Sequence, residues 1–265
     1  MAGKIYCSWV GEFGWELMTC QAYMRYLSLE HDVYIWTRKG QELLYKDFAK
    51  EIITHEIPPS RTSKWMDLSF PRNRFSYYFN RELEEGDIWF APNTPVIDWE
   101  KNEEDEKFKK QVFIKFGNYK PELAFDIILH ARETKKCGTI RRNWEHWEEF
   151  ACELSGLRVG CIGHPEQSRH VIGENLRGLP LETLADVLAS SRLIVGGSSG
   201  PMHLAALCGC PTAVWWGDNR SRNRRRYNEA WNPLKTPVIE VLNDWQPSVE
   251  QVVSKIEEFS KILKW

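Results

Sequence analysis

Hydrophobic positions in the second half of the chain alternate between short β-branched runs and amphipathic stretches. The apolar runs predict strands over 125–130, 157–162, 192–196, 212–216 and 237–242. A 3.6-residue period predicts helices over 144–155, 181–190, 201–208 and 248–263. Strands alternating with helices in this way build a parallel sheet covered on both faces. The first half follows the rhythm less regularly. It predicts a strand over Lys4–Val10, a loop over Gly11–Gly14 and an amphipathic helix over Trp15–Leu29. A strand over Asp32–Thr37, a helix over Gln41–Lys50, a short strand over Ile52–Ile57 and a strand over Asp87–Ala91 follow. Residues 58–85 lack a clear period. Asp98–Lys110 reads as a charge-rich helix or exposed loop, the ordinary pattern of a solvated face. Gly117, Asn118 and Pro121 interrupt the pattern and place a domain boundary near 115–124. The expectation is an α/β chain of two Rossmann-like, doubly wound parallel-sheet domains, 1–120 and 121–247, with a terminal helix in 248–265. That helix is expected to cross back to the first domain. No internal repeat and no low-complexity tract is present.

One stretch stands out, Leu193 to Val214. It reads as a buried strand, a Gly/Ser loop, a short helix, a glycine stop and a second strand. Gly196 and Gly197 permit a sharp turn and a close backbone approach. Pro201 suits the first helical turn and Gly209 the stop. Unpaired N–H groups at such a helix start face the carboxyl edge of the sheet, where open α/β sheets bind ligands, and they favour an anion such as phosphate. The plainer reading is an ordinary strand–helix turn with Ser198 and Ser199 as caps. There is no Walker lysine and no G-x-G-x-x-G. His203, one turn into the helix among Met202, Leu204, Ala205 and Ala206, needs a polar partner. It is either a satisfied core histidine or a neighbour of the anion.

These residues resemble the loop D-[ST]-G-P-x-H-L-A-A-A-x-G-x-P of the heptosyltransferase-like glycosyltransferases, family nine, which have the GT-B fold. The match here is Ser198-Ser199-Gly200-Pro201-Met202-His203-Leu204-Ala205-Ala206-Leu207-Cys208-Gly209-Cys210-Pro211. Upstream, Phe125–Arg132 is similar to the first strand of that family's second domain. Arg142-Asn143-Trp144-Glu145-His146-Trp147 is similar to its [KR]-x-W-P helix start, and Asn175–Ala185 to its N-L-x-G segment. Trp215-Trp216-Gly217-Asp218 replaces a strand end. The motifs keep the family's order and cover about residues 125–245. In the first half the resemblance is confined to Gly11–Leu17. Two departures matter. The family's loop Asp, which faces the sugar, is Ser198 here, which puts heptose as the donor sugar in question. The chain is also shorter, pointing to a reduced acceptor domain. The resemblance implies two domains facing a cleft, a nucleoside-diphosphate sugar held by the second, and inverting transfer to a hydroxyl-bearing acceptor such as a glycan or glycolipid.

Glycosyl transfer needs a base for the acceptor proton and stabilisation of the departing diphosphate. Gly11-Glu12-Phe13-Gly14-Trp15-Glu16 offers two carboxylates, where the family has G-D-x-G-D. Glu16 is the favoured base and Glu12 the second. Their ordinary roles are a first-turn acid in the helix dipole and a loop acid in solvent. For the diphosphate, the candidates are the backbone N–H groups of Ser199, Gly200 and Met202, the Ser198 and Ser199 hydroxyls, and His203. Arg141 or Arg142 resembles the family's basic residue ahead of the Trp, and Arg132 just past a strand end is a second guanidinium for phosphate. Gly217 and Asp218 end the next strand, and Asp218 can hydrogen-bond a ribose or base. The run from Arg220 to Arg226, which includes Arg224, suits an anion near the nucleotide or is a loop balanced by nearby acids.

Composition narrows the field further. The net charge of −2 supplies no global polycation for nucleic acid or membrane. Seven irregularly spaced Cys with no signal peptide point to a reducing, cytoplasmic setting. No apolar run reaches transmembrane length. No Asp-x-Asp and no zinc spacing around Cys208-Gly209-Cys210 is present, so neither a metal nor any other cofactor is expected beyond the nucleotide-sugar co-substrate. His130, His146, His164 and His170 form no hydrolytic signature. Thirteen Trp mostly serve cores, with some free to stack on sugars or bases. Two rival readings stand beside the transferase. Aromatic and Arg residues in 61–81, with the Arg220–Arg226 run, suit glycosylation of modified DNA bases. The shifted base and missing loop Asp suit a nucleotide-sugar-binding protein without catalysis. An epimerase on the same fold is a further alternative.

Overall fold

The computed structural model describes residues 3–56, 74–92, 110–135, 140–217, 224, 226–242 and 244–264. The chain divides into two compact units, Met1–Phe113 and Ile114–Trp265.

The first unit is built on a four-stranded parallel sheet. Its strands are β1 (Ile5–Ser8), β2 (Val33–Arg38), β3 (Glu51–His55) and β4 (Ile88–Phe90), in the order β3-β2-β1-β4. β1 is fully buried, which explains its continuous apolar reading. The helix after β1 begins two residues earlier than the sequence suggests. It runs as α1 (Phe13–Trp15), a π-helical stretch (Glu16–Cys20) and α2 (Gln21–Leu27). Gly14, expected in the loop, is therefore helical. The expected helix over Gln41–Lys50 shortens to one 3-10 turn, Glu42–Leu44, followed by turns. Tertiary contacts account for this. Leu44 and Tyr45 are buried, and the Leu44 carbonyl accepts from the Arg25 guanidinium at 3.0 Å.

A short helix, α3 (Phe75–Phe79), supplies Phe75, Tyr78 and Phe79 to a cluster with Tyr6, Val10 and Trp36. Tyr6 meets Phe75 edge-on at 4.6 Å. These three aromatics of the 61–81 segment are thus core and present no face for a base. Arg81 pairs with Glu51 at 2.5 Å and lies over the Tyr34 ring. Residues 57–73, most of that segment, and 93–109 lie outside the described residues.

The second unit is a six-stranded parallel sheet. Its strands are β5 (Ile127–His130), β6 (Val159–Cys161), β7 (Glu174–Asn175), β8 (Ile194–Gly197), β9 (Thr212–Trp215) and β10 (Val238–Glu240). Their order is β10-β9-β8-β5-β6-β7. Helices α4 (Trp147–Cys152), α5 (Leu181–Ser190), α6 (Gly200–Cys208) and α7 (Val249–Leu263) accompany them. Five strands and four helices fall where the pattern predicts. β7, two exposed residues long, carries no pattern to read and is missed. The α7 helix starts with a capping box, in which the Ser248 hydroxyl and the Gln251 side chain satisfy each other's backbone N–H groups. From β5 the chain winds outward through β6 and β7. It then returns to β8 on the other side of β5, so the winding reverses between β5 and β8.

Arg25 shows how the first unit closes. It is buried, donates to both Asp47 carboxylate oxygens at 2.9 Å, and stacks over Phe48. Replacing Arg25 by Ala strands these acceptors and is expected to lower unfolding stability by about 2–4 kcal/mol, measured by chemical denaturation.

Candidate functional site

The strand reversal sets the site in the second unit. β5 and β8 run side by side with Leu129 opposite Val195 and His130 opposite Gly196. Open α/β sheets bind ligands where neighbouring strands feed connections in opposite directions. A Cβ at Gly196 would lie 3.1 Å from the His130 carbonyl and 3.3 Å from the Met202 sulfur. Glycine therefore lets the strand pair and the start of α6 close on one another. The Ser198-Ser199-Gly200 loop emerges there half-buried, with Pro201 in the first turn of α6 and Gly209 ending the helix at φ 78°.

Both serine hydroxyls have partners. Ser199 occupies the N-cap position of α6 without bonding its own helix. Its Oγ lies 3.0 Å from His130 Nδ1. The Ser198 N–H donates to the Trp215 carbonyl at 2.9 Å, and Ser198 Oγ accepts from the Tyr227 hydroxyl at 3.0 Å. The cap expected of these serines is thus replaced by bonds to a strand end and to a distant tyrosine. Gly200 and Met202 sit in the first turn, where a helix supplies no acceptor for their N–H groups. The Met202 side chain is fully buried, so only its backbone can serve a ligand.

His203 is buried, stacked on Tyr227 at 4.5 Å and met edge-on by Trp231 at 4.6 Å. Its Nδ1 is buried with no hydrogen-bond partner among the described residues. An unsatisfied polar atom of this kind costs about 1–3 kcal/mol. Burial, with Arg226 nearby, lowers its pKa to about 3. Burial and Arg132 lower that of His130 to about 4. Both imidazoles are therefore neutral at physiological pH.

The arginines divide. Arg132 is half-buried just beyond β5, its backbone bridged to Ser168. Arg141 is exposed. Arg142 is half-buried, with its guanidinium 5.0 Å from the Trp245 ring centre. Trp245 covers the ends of β8 and β9. A Cβ at Gly217 would come within 2.2 Å of its ring, so that position admits only glycine unless Trp245 moves. Gln246 ties this segment down by donating to the Asn143 carbonyl at 2.6 Å. Arg224 is exposed and pairs with Glu240 on β10 at 2.5 Å. Asp218, Arg220, Arg222 and Arg225 lie outside the described residues.

The two carboxylates of the first unit differ sharply. Both follow β1, at whose flanks β2 and β4 pair. Glu16 is fully buried in the π-helical stretch. Its Oε1 accepts from the Tyr45 hydroxyl at 2.8 Å and from the Thr37 hydroxyl. Burial raises its pKa to about 7, against the pull of those two bonds and of Arg38. Glu12 precedes α1 and keeps a half-buried side chain at the strand end. Arg38 holds this loop by donating to the Val10 and Gly11 carbonyls at 3.3 Å each. His55 also bonds the Trp9 carbonyl, at 2.8 Å. Among the described residues no group of three or more His, Cys, Asp or Glu side chains is placed to hold a metal ion, and no helix is long and apolar enough to cross a membrane.

Sequence reading missed His130, Tyr227 and Trp245. His130 ends an apolar strand, but its importance follows only from β5 lying beside β8. Tyr227 sits behind the arginine run, and Trp245 follows the last strand; neither has a local signal.

Glu16 gives a pH signature. Its pKa is raised on folding, so its contribution to stability is fully present below about 4.5 and is lost as pH rises to about 7. Stability of the wild type relative to Glu16→Gln is expected to fall across that window by on the order of 3 kcal/mol and to level off above it, read from urea denaturation at several pH values.

No protein-family model matches the chain, and no curated protein matches it in sequence. Solved structures do. Escherichia coli heptosyltransferase WaaC with ADP is similar over 96% of this chain and 99% of its own, at 14% identity and a TM-score of 0.60. A family 9 glycosyltransferase from Veillonella parvula is similar over 100% and 98%, at 12% identity and 0.57. The E. coli ADP-heptose LPS heptosyltransferase II is similar over 99% and 100%, at 14% identity and 0.55. The two parallel α/β units of this chain thus have the fold of GT-B glycosyltransferase structures.

Proposed function

We propose that this protein is a glycosyltransferase that moves a sugar from a nucleoside-diphosphate sugar to an acceptor hydroxyl. The observation that carries the reading is the Ser198–His203 loop. It meets the sheet where the winding reverses, at a helix start, within a fold shared with the structure of a heptosyltransferase with ADP. The Gly200 and Met202 N–H groups and the α6 dipole suit a diphosphate, whose charge grows as it departs. The Ser198 and Ser199 hydroxyls are secondary donors, and Arg142 and Arg132 are the guanidinium candidates beside them. Two neutral histidines leave the loop without added cationic charge of their own.

For the acceptor proton, the geometry supports Glu12 over Glu16. A general base must come within hydrogen-bond reach of the hydroxyl it activates. The Glu16 carboxyl has no exposed surface and is spent on Thr37 and Tyr45. Glu12 is partly exposed at the same strand end, on a loop fixed by Arg38. Glu16 is then a buried support of the helix that starts at this loop. Direct displacement with inversion, and transfer without a metal ion, follow from the family resemblance and the missing Asp-x-Asp.

Calorimetric titration with the common nucleoside diphosphates and their sugar conjugates tests the reading. One nucleotide family is expected to bind equally in EDTA and in Mg²⁺. No binding at millimolar ligand by folded protein overturns the donor site. Donor binding without transfer across an acceptor panel leaves the non-catalytic reading. Steeply salt-dependent DNA binding favours the DNA-base reading.

Once an acceptor is found, Glu12→Gln is expected to lower kcat by about 10²–10⁴-fold with donor affinity unchanged. Equal loss in Glu16→Gln, with Glu12→Gln near wild type, reverses the assignment.

A further inference from the structure

The geometry points to Tyr227 as a positioning residue that aims the Ser198 hydroxyl at the donor's diphosphate, a reading that rests on the donor site proposed above. Tyr227 enters from a π-helical stretch, Arg226–Ala230, just beyond the arginine run. Its ring is 1% exposed and lies between two others, Trp216 at 5.3 Å and 7° and His203 at 4.5 Å and 22°. Trp231 closes the far side of His203 edge-on. The stack joins the end of β9, the first turn of α6 and the π-helical stretch, and it leaves the phenol little freedom to turn.

At the tip of that ring the hydroxyl donates to Ser198 Oγ at 3.0 Å. A serine hydroxyl has one proton to give and two lone pairs to receive. With Tyr227 filling one lone pair, the Ser198 proton is directed elsewhere, and Ser198 is a half-buried residue at the start of the loop that follows β8. The aimed Ser198 O–H then joins the Gly200 and Met202 N–H groups among the loop's donors. Donors of this kind suit phosphate oxygens.

Without the phenol hydroxyl, Ser198 is free to turn its proton into the loop. In Tyr227→Phe the affinity for the nucleoside diphosphate is therefore expected to fall 5- to 10-fold, while affinity for the parent nucleoside stays within twofold. Ser198→Ala should match that loss, and Ser198→Thr, which keeps the hydroxyl, should not show it. The Y227F/S198A double variant should bind no more weakly than S198A, because both changes remove one interaction. The Ser198 pair reads the same bond without touching the aromatic stack, which covers the case of a Tyr227→Phe protein that does not fold. Calorimetry on the full chain supplies all of these values. Equal losses for nucleoside and diphosphate, additive losses in the double variant, or S198A binding like wild type each overturn the positioning role alone. A folded wild-type protein that binds no nucleoside diphosphate overturns the donor-site reading together with it.

Discussion

The close approach of β5 and β8 governs the second unit. Parallel strands are held at a fixed spacing by their ladder, so what varies is the room above them. Gly196 supplies that room, because any side chain there would press on the His130 carbonyl and the Met202 sulfur. With it, α6 begins directly against the strand ends, and Ser199 reaches His130. A Cβ at Gly196 would force His130 or Met202 to shift by a few tenths of an ångström. Gly217 plays a matching role one strand away, where its lack of a side chain admits the Trp245 ring.

The two units treat charge in opposite ways at corresponding strand ends. In the first, a carboxyl is buried under two hydroxyl donors. The low-dielectric surroundings resist its ionisation even as those donors favour it, and its pKa settles about where a proton can be gained or lost near neutrality. In the second, two imidazoles are buried with no acidic partner among the described residues and stay neutral. The charge at this edge comes instead from arginines. Of these, Arg142 lies against an indole and Arg224 is paired with an acid. Backbone N–H groups and serine hydroxyls, unlike these imidazoles, do not titrate in the physiological pH range.

Much of the protein's aromatic content is structural. Trp144, Trp147 and Trp215 pack within 4.8–5.9 Å of one another beside the second sheet. Tyr6, Trp36 and the α3 aromatics fill the first. Arg25, seated under Leu44 and beside Phe48, ties the helix after β1 to the turn after β2, which carries Tyr45 to Glu16. The buried acid is thus maintained by packing some distance along the chain from it.

By itself the sequence determined the α/β rhythm, the Gly/Ser loop with its helix start and stop, and the two carboxylates after the first strand. These are local properties. A strand buried on both faces is apolar throughout, a helix repeats every 3.6 residues, and glycine and proline mark where the backbone must turn. The Gln41–Lys50 segment shows the limit, since a helical period there gave way to packing of Leu44 and Tyr45 around Arg25. Only the tertiary structure decided the strand order, and with it which residues share an edge. His130 and Ser199 are 69 positions apart, and Ser198 and Tyr227 are 29 apart. The same assembly separated Glu16 from Glu12. Both are acids of one short segment, yet one is fully buried under Thr37 and Tyr45 and the other is only half-buried. Burial and hydrogen bonding of a side chain are set by what folds over it, and no pattern within a single segment records that.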